Sequence, residues 1–346
     1  MRELSIYVFH SDVNSVDQFL NKFCLEDFKS IYSFIWDTES PDILIVTDQL
    51  YSRGIYKKKS FRKLYNNSKL KVFFATEALY PDFNLFDYAI GWDPTIDFDR
   101  FCQLPPSFLY PAKLFINDTE NRINTIEQAK EELKNKQGFC SFLYSNWRAH
   151  PMRDELFFAL CKYKKVDSLG KHLNNVEKKG TGYIGHRKEG ISIKSLYKFS
   201  ISCENASHPG YTSEKLLTSF NAHSIPIYWG DPCVEEYFNP ESFINVSRYS
   251  SLTELVNEIK KIDCDDDLWC KMVSAPWQTE EQVQKDHDRY SKYKSFWNNI
   301  FEHYNIARIP CGTMPSEYEY WFFHGSKSKC RHFFETILHK LKMKFL

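Results

Sequence analysis

Short apolar runs alternate with helix-like segments along this chain, and they do so in two separate blocks. The first block predicts four strands, at residues 4–9, 42–47, 71–75 and 88–91, and includes a helix-like pattern at 16–23. Strands of this length with helices between them favour a mainly parallel sheet, because a parallel pair needs a long crossover connection. The first block therefore predicts an α/β domain.

The second block repeats this alternation after a looser region that contains Pro105, Pro106 and Pro111 and an exposed helix pattern at 125–136. Its predicted strands are 139–144, 196–203, 225–229 and 243–246, and its predicted helices are 153–163, 213–222 and 252–262. This order predicts a second doubly wound sheet. We expect two Rossmann-like domains, at 1–137 and 138–315, followed by a tail at 316–346.

Charge and cysteine usage narrow the class of protein. Lys and Arg number 45, as do Asp and Glu, so the net charge gives no argument for nucleic acid as a partner. The ten cysteines form no CxxC pair, which favours free thiols in a reducing compartment over a zinc site or a disulfide framework. The first apolar run is too short for a signal peptide, and no apolar stretch reaches 18 residues. We therefore expect a cytoplasmic protein.

The stretch 199–218 is the most informative part of the second block. It predicts a strand, a turn at Pro209-Gly210, and a helix that begins near Thr212 or Ser213. A helix N-terminus offers free N–H groups to a phosphate. Lys215 in the first helical turn opposes the helix dipole, which a bound diphosphate would explain. A lysine that extends into solvent explains it equally well, and both interpretations stay open.

Polar and aromatic residues around this turn admit two interpretations each. Glu214 suits the hydroxyls of a ribose or sugar, but an acid in a first helical turn is common. Tyr211 could contact a donor or pack in the core. Asn205, at the predicted strand end, could contact a nucleotide sugar or serve turn formation. Downstream, the strand 225–229 ends at Gly230, where a glycine lets the backbone approach a ligand.

The order and spacing of these residues resemble the signature of the α-1,3/4-fucosyltransferase family, glycosyltransferase family 10. The matching segments are Glu204-Asn205, Gly210-Tyr211, Glu214-Lys215, the stretch 225–230, and Phe238-Asn239-Pro240. Short bacterial members of the Helicobacter type are the most similar in form, and the resemblance spans residues 70 to 275. It implies two α/β domains facing each other across a cleft, the GT-B arrangement, with GDP-fucose as the donor substrate.

The resemblance also implies a set of donor-binding residues in the range 138–315. Ser145-Asn146 followed by Arg153 resembles a family segment in which the arginine contacts the donor pyrophosphate. Lys198 lies in a Tyr-Lys-Phe triplet that precedes the signature strand in the family. The donor-binding residues implied in this way are Ser145, Asn146, Arg153, Lys198, Asn205, Tyr211, Glu214 and Lys215.

A carboxylate in the first block completes the implied site. The segment 73–93 resembles the bacterial members, and Glu77 falls where the family has its catalytic carboxylate. The family often has Gly-Glu-Asn-Glu here, whereas this chain has Thr-Glu-Ala-Leu, so Leu79 replaces the second glutamate. Without the resemblance, Glu77 would be interpreted as a solvated loop residue. The range 1–137 is then expected to bind the acceptor.

The implied chemistry is an inverting α-1,3 transfer of L-fucose to the GlcNAc or Glc of an N-acetyllactosamine or lactose acceptor. Glu77 would act as general base, and Arg153 and Lys215 would stabilise the departing diphosphate. No metal is required in this scheme, although a divalent ion could stimulate it. The acidic strings at 97–99 and 265–267 are interpreted as solvated patches. The alternatives are a GT-B enzyme for another nucleotide sugar and a non-catalytic glycan-binding protein.

The last twenty residues, 327–346, are basic and aromatic. Phe334, Ile337, Leu338 and Leu341 fall on one face at helical spacing. This pattern is typical of an amphipathic helix that lies on anionic lipid, and equally of a terminal helix packed on the first domain. The first interpretation predicts peripheral contact with the inner face of the cytoplasmic membrane.

Overall fold

Two fully parallel sheets form the framework of the molecule. A computed structural model describes residues 1–109, 122–176, 187–306 and 308. Within these ranges one sheet has six strands and the other has five, and every strand pair is parallel. The predicted α/β architecture is therefore confirmed. The predicted tail at 316–346 lies outside the described residues.

The first sheet has the strand order β2-β1-β3-β4-β5-β6. Its strands are β1 (Arg2–Phe9), β2 (Tyr32–Trp36), β3 (Ile43–Thr47), β4 (Leu70–Phe74), β5 (Tyr88–Gly91) and β6 (Phe101–Gln103). The connecting helices are α1 (Val16–Lys22), α2 (Gln49–Ser52) and α3 (Lys59–Asn67). Every residue of β3 is buried, as both faces of a covered parallel sheet require. The sequence analysis missed β2 and β6 because one is a half-exposed edge strand and the other has three residues.

The second sheet has the strand order β11-β10-β9-β7-β8. Its strands are β7 (Gly138–Phe142), β8 (Val166–Ser168), β9 (Tyr197–Cys203), β10 (Ile225–Trp229) and β11 (Ile244–Asn245). The helices of this part are α4 (Ile126–Lys134), α5 (Met152–Cys161), α6 (Arg187–Lys194), α7 (Glu214–Asn221), α8 (Leu252–Cys264) and α9 (Asp266–Ser274).

A last described helix, α10 (Glu280–Glu302), returns to the first sheet. Its buried residues Tyr293, Trp297, Ile300 and Phe301 belong to the same apolar core as strands β1, β3 and β4. The hydroxyl of Tyr293 donates to the carbonyl of Phe23 at 2.8 Å. Helix α10 thus lies within residues 138–315, which were predicted to form the second domain, but it packs on the core of the first sheet. The domain bounds themselves stay a prediction.

Strand order determines where each sheet can bind a ligand. In both sheets the first strand in sequence lies between the second and the third, which is the order 2-1-3-4-5 of doubly wound folds. Ligands of such sheets bind at the carboxyl ends of the strands, where the order reverses. In the second sheet this point lies between β7 and β9. The segments that follow these strands contain Ser145, Asn146 and Asn205.

Two further observations concern membranes and thiols. None of the helices in the described ranges is long and apolar enough to cross a bilayer. Eight cysteines of the described part have free thiols, and the other two of the chain lie outside it.

Candidate active site

Glu77 lies in a tight turn just beyond the carboxyl end of β4. The turn is closed by the Leu79 amide, which donates to the Glu77 carbonyl at 2.7 Å. The indole Nε1 of Trp92 donates to the same carbonyl at 3.0 Å. On the other side, the buried carboxylate of Asp48 accepts hydrogen bonds from the amide of Thr76, at 3.0 Å, and from its hydroxyl. The backbone on both sides of Glu77 is therefore fixed.

The carboxylate of Glu77 accepts hydrogen bonds from residues of the second half of the chain, which is the part that forms the second sheet. Its Oε2 accepts a hydrogen bond from Asn205 Nδ2 at 3.2 Å and another from the Tyr211 hydroxyl at 3.0 Å. Tyr211 is only 1% exposed and packs edge-on against Trp92, with ring centroids 5.7 Å apart. The two halves of the protein thus meet at this carboxylate.

The surroundings of Glu77 raise the pKa of its carboxyl group. Glu77 as a whole residue is exposed, but protein atoms crowd its carboxylate, and this desolvation is the main cause of the increase. The charge of Lys215 and the hydrogen bond from Tyr211 oppose it, whereas the charges of Asp48 and Glu214 add to it. A carboxylate with a raised pKa is a better proton acceptor than an ordinary one.

Arg153 fixes the orientation of the asparagine that contacts Glu77. Its Nη2 donates to Asn205 Oδ1 at 2.8 Å and to the Cys203 carbonyl at 3.1 Å. A guanidinium only donates hydrogen bonds, so the amide oxygen of Asn205 must face it and the Nδ2 group must face Glu77. Arg153 is 1% exposed and lies over the ring of Tyr144, 4.0 Å from its centroid. Its direct contact with a pyrophosphate stays a prediction.

Lys215 is anchored by a carboxylate to which the sequence analysis assigned no role. Glu204 is fully buried at the end of β9 and accepts a hydrogen bond from Lys215 Nζ at 3.0 Å. It also accepts from the amide of Ser213 at 2.7 Å and from its hydroxyl at 2.6 Å. Burial alone would lower the pKa of Lys215, but Glu204 and Glu214 more than offset this and raise it. Lys215 therefore stays positively charged.

The N-terminus of α7 points into the same region. Its N-cap is Ser213, one of the two N-cap residues that the sequence predicts, and the Ser213 side chain makes no capping hydrogen bond to the helix. The Ser213 hydroxyl bonds to Glu204 instead. Glu214, in the first turn, has a side chain that is 43% exposed and lies 3.7 Å from Lys215 Nζ. A helix N-terminus beside a fixed cation is suited to an anion.

Asp231 holds the loop that carries Tyr211. Its carboxylate is 1% exposed and accepts hydrogen bonds from the Gly210 amide and the Thr212 hydroxyl, both at 2.8 Å. Gly210 has a φ of +80°, and a Cβ there would lie 2.1 Å from the Trp92 carbonyl oxygen. Only glycine allows the two halves to approach this closely.

Close backbone approach also explains the glycine after β10. Gly230 has a φ of +154°, and a Cβ there would lie 2.4 Å from Glu204 Cγ. Glu204 and Asp231 thus have buried structural roles beside the site. Their position at strand ends, with Gly230 directly before Asp231, was the available sequence signal.

Two of the other predicted donor residues lie at the site, and one does not. Ser145 and Asn146 are exposed just beyond β7, and the Asn146 carbonyl accepts from Arg153 Nη1 at 3.3 Å. Lys198, however, is the second residue of β9, about 16 Å of strand from Cys203 at 3.3 Å per residue. Its Nζ donates to the Asp263 carbonyl at 2.7 Å and pairs with that carboxylate at 3.4 Å. The structure does not bring Lys198 together with the other predicted donor residues, because it lies at the amino end of β9 and they lie at or beyond the carboxyl ends of the strands.

The two acidic stretches, residues 97–99 and 265–267, lie in surroundings that are common for acidic residues. Asp97 and Asp99 are exposed. Asp265 caps α9 by accepting from the amides of Asp267 and Leu268 at 3.0 and 3.1 Å. Across the described part of the chain, no group of three or more His, Cys, Asp or Glu side chains could hold a metal ion.

Comparison with known families shows where this site belongs. A family model described as the C-terminal part of glycosyltransferase family 10 (fucosyltransferase) matches residues 133–307, half of the chain. The chain belongs to glycosyltransferase family 10. A second model, the N-terminal domain of alpha-(1,3)-fucosyltransferase FucT, matches residues 9–110 of this family 10 protein. The resemblance noted in the sequence is thereby confirmed.

Individual relatives of the family 10 protein agree with this membership. It is 34% identical to alpha-(1,3)-fucosyltransferase FucT of Helicobacter pylori over 242 residues, which is 62% of this chain and 48% of that protein. A crystal structure of an alpha1,3-fucosyltransferase is 25% identical, with a TM-score of 0.62, over 85% of this chain and 90% of that one. A structure of an alpha1,3-fucosyltransferase with GDP-fucose shares the fold, with 24% identity and a TM-score of 0.65 over 89% and 93%. The chain spans about half, or less, of the length of the curated relatives it matches.

Proposed function

We propose that this protein is an inverting α-1,3-fucosyltransferase that moves L-fucose from GDP-β-L-fucose to the GlcNAc or Glc hydroxyl of an N-acetyllactosamine or lactose acceptor. The Helicobacter relative is named for the α-1,3 transfer, and GDP-fucose is bound in a structure of similar fold. One observation carries the proposal. Glu77 of the first half meets Asn205 and Tyr211 of the second half beside the cation Lys215.

The proposed reaction is a single displacement. The acceptor hydroxyl attacks the anomeric carbon of fucose on the face opposite the GDP, and Glu77 takes the hydroxyl proton as general base. The transition state is oxocarbenium-like, as at other glycosidic centres. Asn205 and Tyr211 keep the carboxylate in place while its raised pKa favours proton transfer. Inversion follows because only one displacement occurs.

The proposed leaving group is stabilised by fixed positive charge. Lys215, whose side chain is 16% exposed, is the cation that a diphosphate can reach directly. The amides at the start of α7 add donors, and Glu214 can accept from donor hydroxyls. Arg153 contributes its charge and orients Asn205. We propose that these groups suffice without a metal ion, so that a divalent cation is at most stimulatory.

The remaining assignments follow from this scheme. We propose that the first half binds the acceptor, since it supplies Glu77, and that the second half binds GDP-fucose. A cytoplasmic location and a bilayer contact through the tail at 316–346 stay predictions. No nucleic acid partner is part of the proposal.

A donor panel with one variant tests the proposal. The purified protein should transfer fucose from GDP-fucose to N-acetyllactosamine or lactose, and GDP-mannose and UDP-sugars should give no product. Glu77→Gln should lower kcat by at least about a thousandfold while the Kd for GDP changes less than about threefold, because the base contacts the acceptor and not the nucleotide. Glu39→Gln, an exposed glutamate of the same half, is the control. Preference for another nucleotide sugar, or binding of glycans without turnover, would contradict the proposal.

A further inference from the structure

A long segment of the first half carries positive charge only. Residues 49–76 contain eight Lys and Arg and no Asp or Glu, although the chain as a whole has a net charge of zero. The segment forms α2, α3 and the turns between β3 and β4. Charge of one sign, concentrated on one part of a neutral protein, is typical of a surface that meets a polyanion.

Five of these cations form an exposed surface, which we call the basic face. Its members are Arg53, Lys57, Lys58, Lys59 and Lys63. The apolar side of α3 is buried, so the helix turns its lysines outward. In the ranges that the structure describes, no carboxylate lies within 4.0 Å of any of the five.

A neighbouring lysine, in contrast to the five of the basic face, forms an ion pair with a carboxylate. Lys69, in the same segment, pairs with the half-buried carboxylate of Asp42 at 2.6 Å. The basic face lacks such a partner among the described residues, so its charges are available to an external anion.

Two tyrosines lie among these cations. Tyr51 and Tyr56 are half-buried, with ring centroids 6.3 Å apart, and Lys57 Nζ lies 5.2 Å from the centroid of the Tyr56 ring. Tyrosine rings with lysines beside them are typical of the headgroup level of a membrane, since the ring prefers the interface and the ammonium reaches lipid phosphates.

The segment of the basic face starts at the same end of the first sheet as Glu77, because it follows β3 and Glu77 follows the neighbouring parallel strand β4. The segment begins one residue after Asp48, whose carboxylate accepts from Thr76, the neighbour of Glu77. Arg53 is close enough to His10 and Asp12, at the end of β1, to affect the pKa of both. The basic face therefore belongs to the half of the protein that supplies Glu77, and its segment begins at the carboxyl ends of the strands.

We propose that the basic face docks the protein on an anionic lipid bilayer, separately from any contact that the tail makes. Lipid phosphates bind the five cations, and the two tyrosines lie at the headgroup level. The attraction decays within a Debye length, so docking weakens as salt rises. Docked in this way, the half of the protein that carries Glu77 faces acceptors that are held at the membrane.

Vesicle flotation with the full chain tests the docking. Wild-type protein should bind vesicles of phosphatidylcholine mixed with phosphatidylglycerol, and pure phosphatidylcholine vesicles should bind it at least about tenfold more weakly. The combined change Lys57→Gln, Lys58→Gln, Lys59→Gln and Lys63→Gln should lower binding to the anionic vesicles by about tenfold or more. The control removes four exposed lysines of the second half: Lys162→Gln, Lys260→Gln, Lys271→Gln and Lys285→Gln.

The outcomes distinguish docking on a bilayer from general attraction to polyanions. Equal loss in both variants, no loss in the basic-face variant, or equal binding to both kinds of vesicle would overturn the proposal. Binding to soluble dextran sulfate as tight as to anionic vesicles would also overturn it, since the charge would then serve a general polyanion site. Thermal unfolding and transfer to a soluble acceptor, both unchanged in the basic-face variant, show that the fold is intact. The vesicle assay does not depend on catalysis. Absence of vesicle binding can therefore be distinguished from absence of the proposed fucosyl transfer.

Discussion

At the scale of single residues, the site is a chain of directed hydrogen bonds from a buried cation to an accessible carboxylate. Arg153 bonds to the amide oxygen of Asn205, whose nitrogen bonds to Glu77, and Tyr211 bonds to the same oxygen of Glu77. The guanidinium of Arg153 can only donate and the ionised carboxylate of Glu77 can only accept, so the orientation of the proposed base is determined by groups that do not themselves react.

Removing the hydroxyl of Tyr211 should change the pH dependence of transfer. The hydrogen bond from Tyr211 lowers the pKa of Glu77 against the effect of desolvation. In Tyr211→Phe this pKa should rise further, so the acid limb of the kcat/KM profile should move to higher pH. Tyr80→Phe is the control, because the Tyr80 hydroxyl interacts with Asp93 and not with Glu77. An acid limb that stays in place, or moves to lower pH, would argue against Glu77 as the base.

Sequence reasoning from the residues alone reached only part of this site. Asn205 and Tyr211 are 128 and 134 residues from Glu77, so nothing local in the sequence shows their contact. Glu77 itself has the sequence surroundings of a solvated loop, and the family resemblance singled it out. Lys198 was also singled out by the resemblance but lies away from the other predicted residues, since a matching triplet does not reveal at which end of a strand its lysine lies.

At the scale of elements, the start of α7 depends on a carboxylate from another strand. Glu204 replaces a conventional cap by accepting from Ser213, and it also holds Lys215. The helix itself was predictable, because its N-cap and apolar periodicity are local. The buried acid that organises it was not, since a charged residue at a strand end is normally expected in solvent.

Substitution of Glu204 should destabilise the fold. In Glu204→Ala the buried amide of Ser213 loses its acceptor, and Lys215 loses its buried partner and keeps only Glu214, 3.7 Å away, as a carboxylate neighbour. The free energy of unfolding should therefore fall by about 3 kcal/mol. Urea unfolding measures this loss, and Glu236→Ala, at an exposed glutamate, should cost less than about 0.5 kcal/mol. Equal stability of Glu204→Ala and the wild type would show that this network does not hold α7.

Substitution of Lys215 should weaken nucleotide binding. Loss of one charge-assisted contact to a diphosphate should raise the Kd for GDP by about tenfold or more in Lys215→Met, as measured by calorimetry. Lys198→Met is the matched control, because Lys198 lies at the opposite, amino end of the strands in the same sheet and pairs with Asp263. An unchanged Kd in Lys215→Met, or the same change in both variants, would remove the diphosphate role.

At the scale of the whole molecule, the two halves are joined by close contacts as well as by chain connectivity. The loop around Gly210 lies against Trp92, the Ser107 amide donates to the Thr212 carbonyl at 2.8 Å, and α10 completes the first core. The two parallel sheets were predictable from alternating periodicity. The packing of α10 on the core of the first sheet was not predictable. Its 23 residues are largely polar, and its apolar face packs against residues some 270 positions earlier in the chain.

A side chain at Gly210 should separate the two halves without removing the donor site. In Gly210→Ala the new Cβ would overlap the Trp92 carbonyl and would require a positive φ, so the Tyr211 loop should shift. We expect kcat/KM for transfer to fall at least about tenfold while the Kd for GDP changes less than about threefold. Gly54→Ala also has a positive φ but no atom within 4 Å of the new Cβ, and it should keep full transfer activity. Full activity in Gly210→Ala would show that the close approach is unnecessary.

The proposed transfer depends on one arrangement, in which a glutamate from one half faces a donor whose diphosphate is held by the other. The most direct test is a crystal structure with GDP-fucose and an unreactive acceptor analogue. We expect the diphosphate at Lys215 and the start of α7, with the acceptor oxygen about 3 Å from the Glu77 carboxylate. A guanine nucleotide bound away from Lys215 and Arg153, or an acceptor oxygen that never reaches Glu77, would contradict it.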